Sequence, residues 1–274
     1  MSRVFRITIT HSVLIWGVLL MLVPLWLVFA SSTHSNSYIY NEGMQWKIGG
    51  EFFDNYDRVL NKKGGFTKEI TATRIFYNSF IMAFGIATLS VFISMMAAYS
   101  LVYFKTKFST LFFWLIFITL LVPLELRILP SYQIVSDLNL TNSYAGLILP
   151  LSASAIATFF FRQYFRSIPD ELLEAAKLDG ANSWKFFIDF LLPLSKTMIA
   201  AMFIFMFVYG YNQYLWPLIM TTSEKYWTVV MGLKMIYGGN SVDRYAYVVL
   251  SLLPPVMIII FLQRLFIQGL FQTK

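Results

Sequence analysis

Six long stretches of this sequence contain no Asp, Glu, Lys or Arg, and their lengths limit what the chain can fold into. They occupy residues 7–41, 75–104, 108–124, 138–161, 197–223 and 245–263. An α-helix rises about 1.5 Å per residue, so about 20 residues cross the hydrocarbon core of a bilayer. Five stretches are long enough, and the stretch 108–124 becomes so if its helix continues to about Leu129.

The composition agrees with a chain that is solvated by lipid. Only 13% of its 274 residues are charged and 58% are hydrophobic, whereas about 25% of a soluble domain is charged. The stretches do not alternate as barrel strands do, and irregular backbone facing lipid would leave its hydrogen-bonding groups unsatisfied. We therefore predict an all-α polytopic membrane protein, with six transmembrane helices in a single domain over residues 1–274.

The first apolar stretch raises the alternative of a cleaved signal peptide. Arg3 and Arg6 precede it, and residues 28–30 fit a signal-peptidase site. The apolar run over residues 13–30 is long for a signal peptide, and further stretches follow it. We favour an uncleaved first helix.

The residue types present exclude several chemistries. The chain has no cysteine, which rules out disulfides and thiolate metal sites, and His11 and His34 lie at either end of the first span. We expect no bound metal and no cofactor. The net charge of +7 does not indicate nucleic-acid binding, because the basic residues lie beside the apolar stretches and form no single basic stripe.

Charge counting leaves the membrane orientation open. If both termini are cytoplasmic, the 21 Lys and Arg residues divide eleven inside to ten outside, so the positive-inside rule does not decide. Lys105, Lys107 and the Arg162/Arg166 pair slightly favour a cytoplasmic N-terminus. Residues 31–74, which are rich in Ser, Asn, Gly and charge, indicate a loop or a small subdomain outside the membrane.

A polar, helix-forming segment at residues 167–193 separates the fourth and fifth apolar stretches. Pro169 suits the first turn of a helix, and Glu171 and Glu174 are favourable near its N-terminus. Gly180 can adopt the left-handed conformation that ends such a helix. The segment therefore begins with a short helix and a tight turn.

The rest of the segment predicts a second short helix. Ser183 can cap it, residues 184–191 form it, and Pro193 ends it before the fifth stretch. Residues 182–191 could alternatively lie on the lipid headgroups as an amphipathic hairpin. That alternative does not explain the small residues beside Glu174, which favour a protein partner.

The spacing within this segment resembles a known motif. Glu-Ala-Ala at 174–176, Gly180 and Leu-Pro at 192–193 resemble the EAA loop, which marks the membrane subunits of bacterial ABC importers. The match departs at Phe190, where the family usually has Ile, but apolar character is retained.

Other parts of the chain resemble subgroups of the same family. Two segments look like carbohydrate-type permeases of the maltose-transporter class: residues 168–172 and 211–218. Three are similar to the second permease subunits of sn-glycerol-3-phosphate importers: residues 122–127, 143–147 and 161–165. The resemblance runs from about residue 74 to the C-terminus and is least in the 31–74 loop.

The resemblance implies a type I ABC importer permease of the bacterial inner membrane, with a cytoplasmic coupling helix between transmembrane helices four and five. Its partners would be a second homologous permease, a dimer of ATPase subunits, an extracytoplasmic solute-binding protein and membrane lipid. Both termini would be cytoplasmic, residues 31–74 an extracytoplasmic loop and residues 167–193 the cytoplasmic coupling loop. The chain would be non-catalytic, which agrees with the absence of a G-x-x-x-x-G-K-[ST] phosphate loop.

The resemblance also implies roles for individual residues. Glu174 would offer a carboxylate to a basic group of the ATPase, and Ala175 and Ala176 would permit close contact. Gly180 would set the turn, and Asp179 belongs to the same ATPase-coupling set. The chain would form half of a pathway for sn-glycerol-3-phosphate or a related glycerophosphate.

Polar residues inside the apolar stretches are the candidates for this pathway, because charges in a bilayer cost roughly 2.5–3.5 kcal/mol on insertion scales. Glu125 and Arg127 do not face each other on a regular helix. Arg127 could attract an organophosphate, since guanidinium suits phosphate. Alternatively, both lie at the outer end of the third helix, where they reach the membrane surface or contact another subunit.

Asn212 and Gln213 lie near the middle of the stretch 197–223, among aromatic residues that include Tyr209. Amides among aromatic rings can bind polyol hydroxyls, and they can equally bond neighbouring helices. Within the class, the alternative is a permease for a sugar or oligosaccharide. A membrane-embedded enzyme or a channel is the alternative outside it, but the sequence shows no constellation of catalytic groups.

Overall fold

The protein is helical throughout the residues that its computed structural model describes, which are 3–61, 70–104, 106–236 and 240–271. Within those ranges no β-strand is present, and the all-α prediction is confirmed. The α-helices are α1 Arg3–Ser31, α2 Asn36–Glu42, α3 Phe52–Asn61, α4 Ala72–Tyr103, α5 Ser109–Ile118, α6 Leu124–Asp137, α7 Tyr144–Ile148, α8 Ala155–Arg166, α9 Asp170–Leu178, α10 Ser183–Lys185, α11 Leu192–Leu194, α12 Lys196–Tyr211, α13 Leu215–Met220, α14 Val229–Met235 and α15 Ser241–Phe271. Short 3₁₀ turns occupy Thr119–Leu121, Leu149–Leu151 and Glu224–Tyr226, and a π-helical segment, Phe186–Leu191, joins α10 to α11.

Three helices of the described chain are each long and apolar enough to cross a membrane. They are Ile7–Ser31 within α1, the whole of α4, and Ser241–Leu265 within α15. These segments fall on the first, second and sixth of the uncharged stretches.

Three pairs of helices meet the same test only when the two members of each pair are counted together. The bend between the members is 106° for Ser109–Leu121 with Glu125–Asp137, 47° for Tyr144–Leu151 with Ala155–Arg166, and 74° for Ser183–Leu194 with Lys196–Tyr211. By length and composition the described residues therefore hold three spans, or up to six if each bent pair is one span. The six-span prediction stays a prediction.

A proline or a serine lies at each of the three bends. Pro123, which has no N–H, precedes α6 in an extended conformation (ψ 148°). Ser154 begins α8 by accepting a hydrogen bond from the Ala157 amide at 3.2 Å. At the third bend the Ser195 hydroxyl donates to the Leu191 carbonyl at 2.6 Å.

The predicted end of the second short helix is wrong. Helical structure runs over Ser183–Leu194 instead of stopping at Leu191, and the bend falls at Ser195. Pro193 lies in the first turn of α11, where the lack of an N–H is tolerated. The helix does break close to Pro193, but the break lies two residues later, at Ser195.

The chain divides into two compact units, of which the first contains Met1–Phe76 and Met231–Leu253. Helices α2 and α3 lie in the predicted 31–74 loop, whose residues 62–69 are outside the described ranges. The Asn55 amide donates to the carbonyls of Ser32 and His34, at 2.9 and 2.8 Å. Burial raises the pKa of the Tyr56 phenol, and its hydrogen bond with Ser32 acts in the opposite direction. This part of the loop is an ordered structure fastened by buried hydrogen bonds.

The second unit contains Tyr77–Val230 and Pro254–Lys274. One of its cores buries aromatic side chains from α4, α8 and the Phe186–Leu191 segment. Tyr99 and Phe187 are 5.0 Å apart between ring centroids, and Tyr103 and Phe186 are 5.3 Å apart. The 167–193 segment packs against this core.

Candidate functional site

The first half of the 167–193 segment forms the short helix that the sequence predicts. Helix α9 follows Pro169, has Asp170 and Glu171 in its first turn and has Lys177 in its last. This order of charges complements the helix dipole at both ends.

The end of α9 has the hydrogen bonds of a Schellman motif. Gly180 is left-handed (φ 75°), and its amide donates to the Lys177 carbonyl at 3.0 Å. The Ala181 amide donates to the Ala176 carbonyl at 2.9 Å, and Asp179 is the exposed residue between helix and glycine. The predicted left-handed turn at Gly180 is confirmed.

The faces of α9 differ sharply in exposure. Ala176 is buried, and Leu172 and Leu173 pack against the same aromatic core. Glu174 and Ala175 are exposed. Ala176 therefore lies against the protein's own core, where its small side chain lets α9 approach closely, while Glu174 projects outward.

The second half of the segment is fixed by two contacts that the sequence did not predict. Asn182, not Ser183, caps α10, because its side-chain oxygen accepts from the Lys185 amide at 2.8 Å. The Tyr99 hydroxyl donates to the Ser183 carbonyl at 2.6 Å. Phe186 is buried with the aromatic core, so this part of the amphipathic hairpin faces protein.

A cavity of about 300 Å³ lies in the second unit, at the bends of the first two helix pairs. It is lined from the first pair by Pro123 and Arg127, from the second by Pro150 and Ser154, and from α12 by Tyr209. Two of the predicted pathway residues, Arg127 and Tyr209, are thus brought together. Helices α6 and α8 both begin at this cavity, so their positive ends face it.

The other three predicted pathway residues do not line this cavity. Glu125 is exposed in the first turn of α6 and forms no ion pair with Arg127. Asn212 and Gln213 were expected within the fifth span, but they lie in the break between α12 and α13. The Gln213 side chain donates to the Tyr209 carbonyl at 3.3 Å and so closes the end of α12.

Asn142, a polar residue that the sequence did not single out, joins the turn before α7 to the residues that follow α13. Asn142 has a left-handed backbone (φ 54°), and its side-chain oxygen accepts from the amides of Thr222 and Ser223 at 2.8 and 2.9 Å. The backbone amide of Asn142 donates to the Met220 carbonyl at 3.0 Å. The Asn-Ser pair before α7 is the signal that could have indicated this turn.

The sequence over residues 90–272 matches the model of the binding-protein-dependent transport system inner membrane component family. The match covers more than half of the chain, and the chain belongs to this family of multi-pass inner-membrane permeases of ABC importers.

Individual relatives are similar over almost the full length. The sn-glycerol-3-phosphate transport system permease protein UgpE of Yersinia enterocolitica is 42% identical over 269 residues, covering 96% of this chain and 95% of the relative. UgpE of Shigella flexneri is 41% identical over 278 residues, covering 100% and 99%. The resemblance to permeases of this type is therefore confirmed.

A solved structure supports the fold. The chain superposes with a TM-score of 0.78 and 21% identity on a chain of a bacterial ABC transporter involved in the import of the acidic polysaccharide alginate. The superposition covers 96% of this chain and 98% of that chain. The likeness concerns the fold and carries no inference about substrate.

Proposed function

We propose that this chain is the permease subunit of an importer for sn-glycerol-3-phosphate or a closely related glycerophosphate. The observation that carries the proposal is the cavity at the helix bends, in which Arg127 supplies a positive charge beside the starts of two helices. The names of the full-length relatives point to the same substrate.

The chemistry of the cavity suits a small phosphate ester. A guanidinium can bind two phosphate oxygens at once, and within the described residues Arg127 has no carboxylate partner to compete. The amides at the starts of α6 and α8 add positive potential. Tyr209 supplies a ring and a hydroxyl, which suit the glycerol portion.

The arrangement in the membrane is part of the same proposal. Each bent helix pair crosses once, which with the three uninterrupted helices gives six spans and both termini on the same side of the membrane. That side is the cytoplasm, because the coupling segment between the fourth and fifth spans must face the ATPases. The chain forms half of the pathway, and a second homologous permease forms the other half. An external binding protein delivers the substrate, and two ATPase subunits hydrolyse ATP.

Coupling is assigned to the exposed side of α9. Glu174 and Ala175 face away from the protein core, so they are free to contact a cleft on an ATPase. Ala176 and Gly180 act inside this chain, by close packing and by setting the turn. Asp179 lies at that turn and is also exposed. Motion of the ATPases would then pass through α9 into the aromatic core against which it packs.

Uptake by the assembled importer tests the substrate. Loss of a hydrogen-bonded ion pair costs about 1.5–3 kcal/mol, so we expect Arg127→Gln to raise the KM for sn-glycerol-3-phosphate about 10- to 100-fold. The KM of Arg127→Lys should lie between those of Arg127→Gln and the natural protein, because Lys keeps the charge without the paired contacts. Arg264→Gln, which removes an exposed Arg outside the cavity, is the control.

Two results would contradict the proposal. An unchanged KM in Arg127→Gln would remove Arg127 from the pathway. Uptake of a neutral sugar by the natural importer, without uptake of sn-glycerol-3-phosphate, would establish the sugar permease alternative instead.

A further inference from the structure

A second cavity, of about 390 Å³, lies between α5 and α8 and is separate in its lining from the cavity at the helix bends. Its polar lining includes Arg162 and Arg166, which are one helical turn apart on α8. Its apolar lining is aromatic and includes Phe113, Trp114 and Phe159. Cationic and aromatic groups therefore share one small pocket.

The aromatic wall is a packed unit formed by both helices. The rings of Phe113 and Phe159 are stacked with centroids 6.2 Å apart, and Phe117 and Phe159 are 5.5 Å apart. The Arg162 guanidinium carbon lies 3.8 Å from the centre of the Phe113 ring. This cation–π contact holds Arg162 in place while leaving its N–H donors able to bind a ligand.

The two positive charges of the pocket have no anionic partner within the part of the chain that the structure describes. No carboxylate lines the pocket, and the ion pair observed among the described residues joins Arg58 to Asp243. Like charges four residues apart on a helix destabilise it. An anion bound between Arg162 and Arg166 would relieve that repulsion.

The position of the pocket along the helices indicates headgroup depth. Arg166 is the last residue of α8 and Ser109 is the first of α5, so the pocket lies at the ends of two apolar segments. Trp114 is 52% exposed on the same wall, and tryptophan is enriched where membrane meets water.

We propose that this pocket binds an anionic phospholipid. The phosphate lies between Arg162 and Arg166, with Gln163 beside them, and an acyl chain runs along the wall of Phe113, Trp114 and Phe117. Basic pockets between membrane helices recognise lipid headgroups in this way. The aromatic wall favours a lipid over free phosphate, which has no apolar part to bury. The assignment does not depend on which solute the permease carries.

Lipid retention by the purified importer tests the site. The importer is extracted in detergent and titrated with phosphatidylglycerol or with phosphatidylethanolamine, and bound lipid is counted by native mass spectrometry. Near a membrane surface each Arg contributes roughly fivefold to anionic lipid affinity, so the double variant Arg162→Gln, Arg166→Gln should weaken phosphatidylglycerol binding by roughly 30-fold. Phosphatidylethanolamine, which is zwitterionic, should bind weakly to the natural importer and to the double variant alike.

Two further variants keep the test interpretable. The double variant Arg162→Lys, Arg166→Lys keeps the charge and should lose only part of the affinity. Arg264→Gln removes one exposed Arg from another helix and should leave phosphatidylglycerol binding unchanged. Equal binding of both lipids, or unchanged binding in the double Gln variant, would overturn the proposal. Saturation of the site by inorganic phosphate at the same concentration as lipid would overturn it as well.

A photoreactive residue distinguishes lipid from a protein partner. Gln163 is exposed and lines the pocket, so a benzophenone side chain at this position reports what occupies it in the native membrane. Capture of phospholipid supports the proposal. Capture of another polypeptide in place of lipid would show that the face is a protein interface.

Discussion

Gly146 is a residue whose importance comes from the space beside it. A Cβ at this position would collide with the carbonyl oxygen of Leu140. That carbonyl already accepts a hydrogen bond from the Ser143 hydroxyl at 2.6 Å, and Ser143 in turn accepts from the Gly146 amide at 3.1 Å. The turn that joins α6 to α7 therefore has no room for a side chain at residue 146.

We expect Gly146→Ala to destabilise the protein by about 2 kcal/mol, as overpacking against fixed atoms typically does. Thermal unfolding of the purified chain in detergent measures this. Gly50→Ala is the matched control, because a Cβ at residue 50 meets no atom within 4 Å. Equal unfolding temperatures for the two variants would show that the turn can relax around the added methyl group.

At the scale of elements, α9 combines a buried face with an exposed carboxylate. Its packing depends on Leu172, Leu173 and Ala176, and Glu174 lies outside that contact. A change at Glu174 should therefore alter a contact with a partner without unfolding the helix.

We expect Glu174→Lys to reduce uptake at least tenfold while ATP hydrolysis by the assembled importer continues. The reversed charge would repel the basic group that the coupling proposal places opposite it. Asp189→Lys is the control, because Asp189 is an exposed carboxylate in the second helix of the same segment. Uptake that stays proportional to ATP hydrolysis in Glu174→Lys would reject the coupling role of this residue.

An ion pair joins helix α3 to the start of helix α15. The Arg58 guanidinium contacts the Asp243 carboxylate at 2.7 Å, and the two side chains are 33% and 4% exposed. Arg58 also donates to the Asn55 side chain at 2.7 Å. Asp243 is thus a buried charge whose partner comes from the opposite end of the chain.

Asp243→Asn should lower the free energy of unfolding by about 2 kcal/mol, the typical worth of a hydrogen bond to a charged group. Asp54→Asn, which changes an exposed carboxylate of α3, should lower it by less than 0.5 kcal/mol, roughly the limit for surface changes. Chemical denaturation in detergent compares the two. An effect of equal size in both variants would mean that the ion pair does not fasten α3.

These elements show which parts of the structure could be predicted from the sequence. A helix that is solvated by lipid requires a long uncharged stretch, and the first, second and sixth stretches do form such helices. The start of α9 and the turn at Gly180 depend on neighbouring residues alone, so they were also predicted correctly. The bends, the cap at Asn182 and the Arg58–Asp243 pair depend on what lies across the fold. Local sequence does not specify such contacts, and the break beyond Pro193 was misplaced for the same reason.

The residues predicted for the pathway illustrate the same limit. Arg127 and Tyr209 share a cavity because α12 lines the space at the bends of the first two helix pairs, although 81 residues lie between them in the sequence. Glu125 was as prominent in the sequence as Arg127, yet it does not line that cavity. The sequence identified both residues as polar groups beside an apolar stretch, and only the structure shows that Arg127 lines the cavity and Glu125 does not.

The number of times that the whole chain crosses the membrane depends on how each bent helix pair lies in it, and cysteine labelling can measure this. A pair bent by 106° can cross the membrane once, or it can enter and return on the same side as a re-entrant loop. The two alternatives place the residues after the pair on opposite sides. The chain contains no cysteine, so single introduced cysteines report their side without background.

We expect a membrane-impermeant maleimide to label Tyr40→Cys, Leu138→Cys and Lys225→Cys in intact cells, because these exposed residues lie outside under the six-span proposal. Thr106→Cys and Leu178→Cys should react only after the membrane is opened. The unmodified chain should not react at all. Labelling of Leu138→Cys on the same side as Thr106→Cys would make the first bent pair re-entrant. The number of spans would then fall, and the cavity at Arg127 would lie at the bottom of a loop that opens to one side.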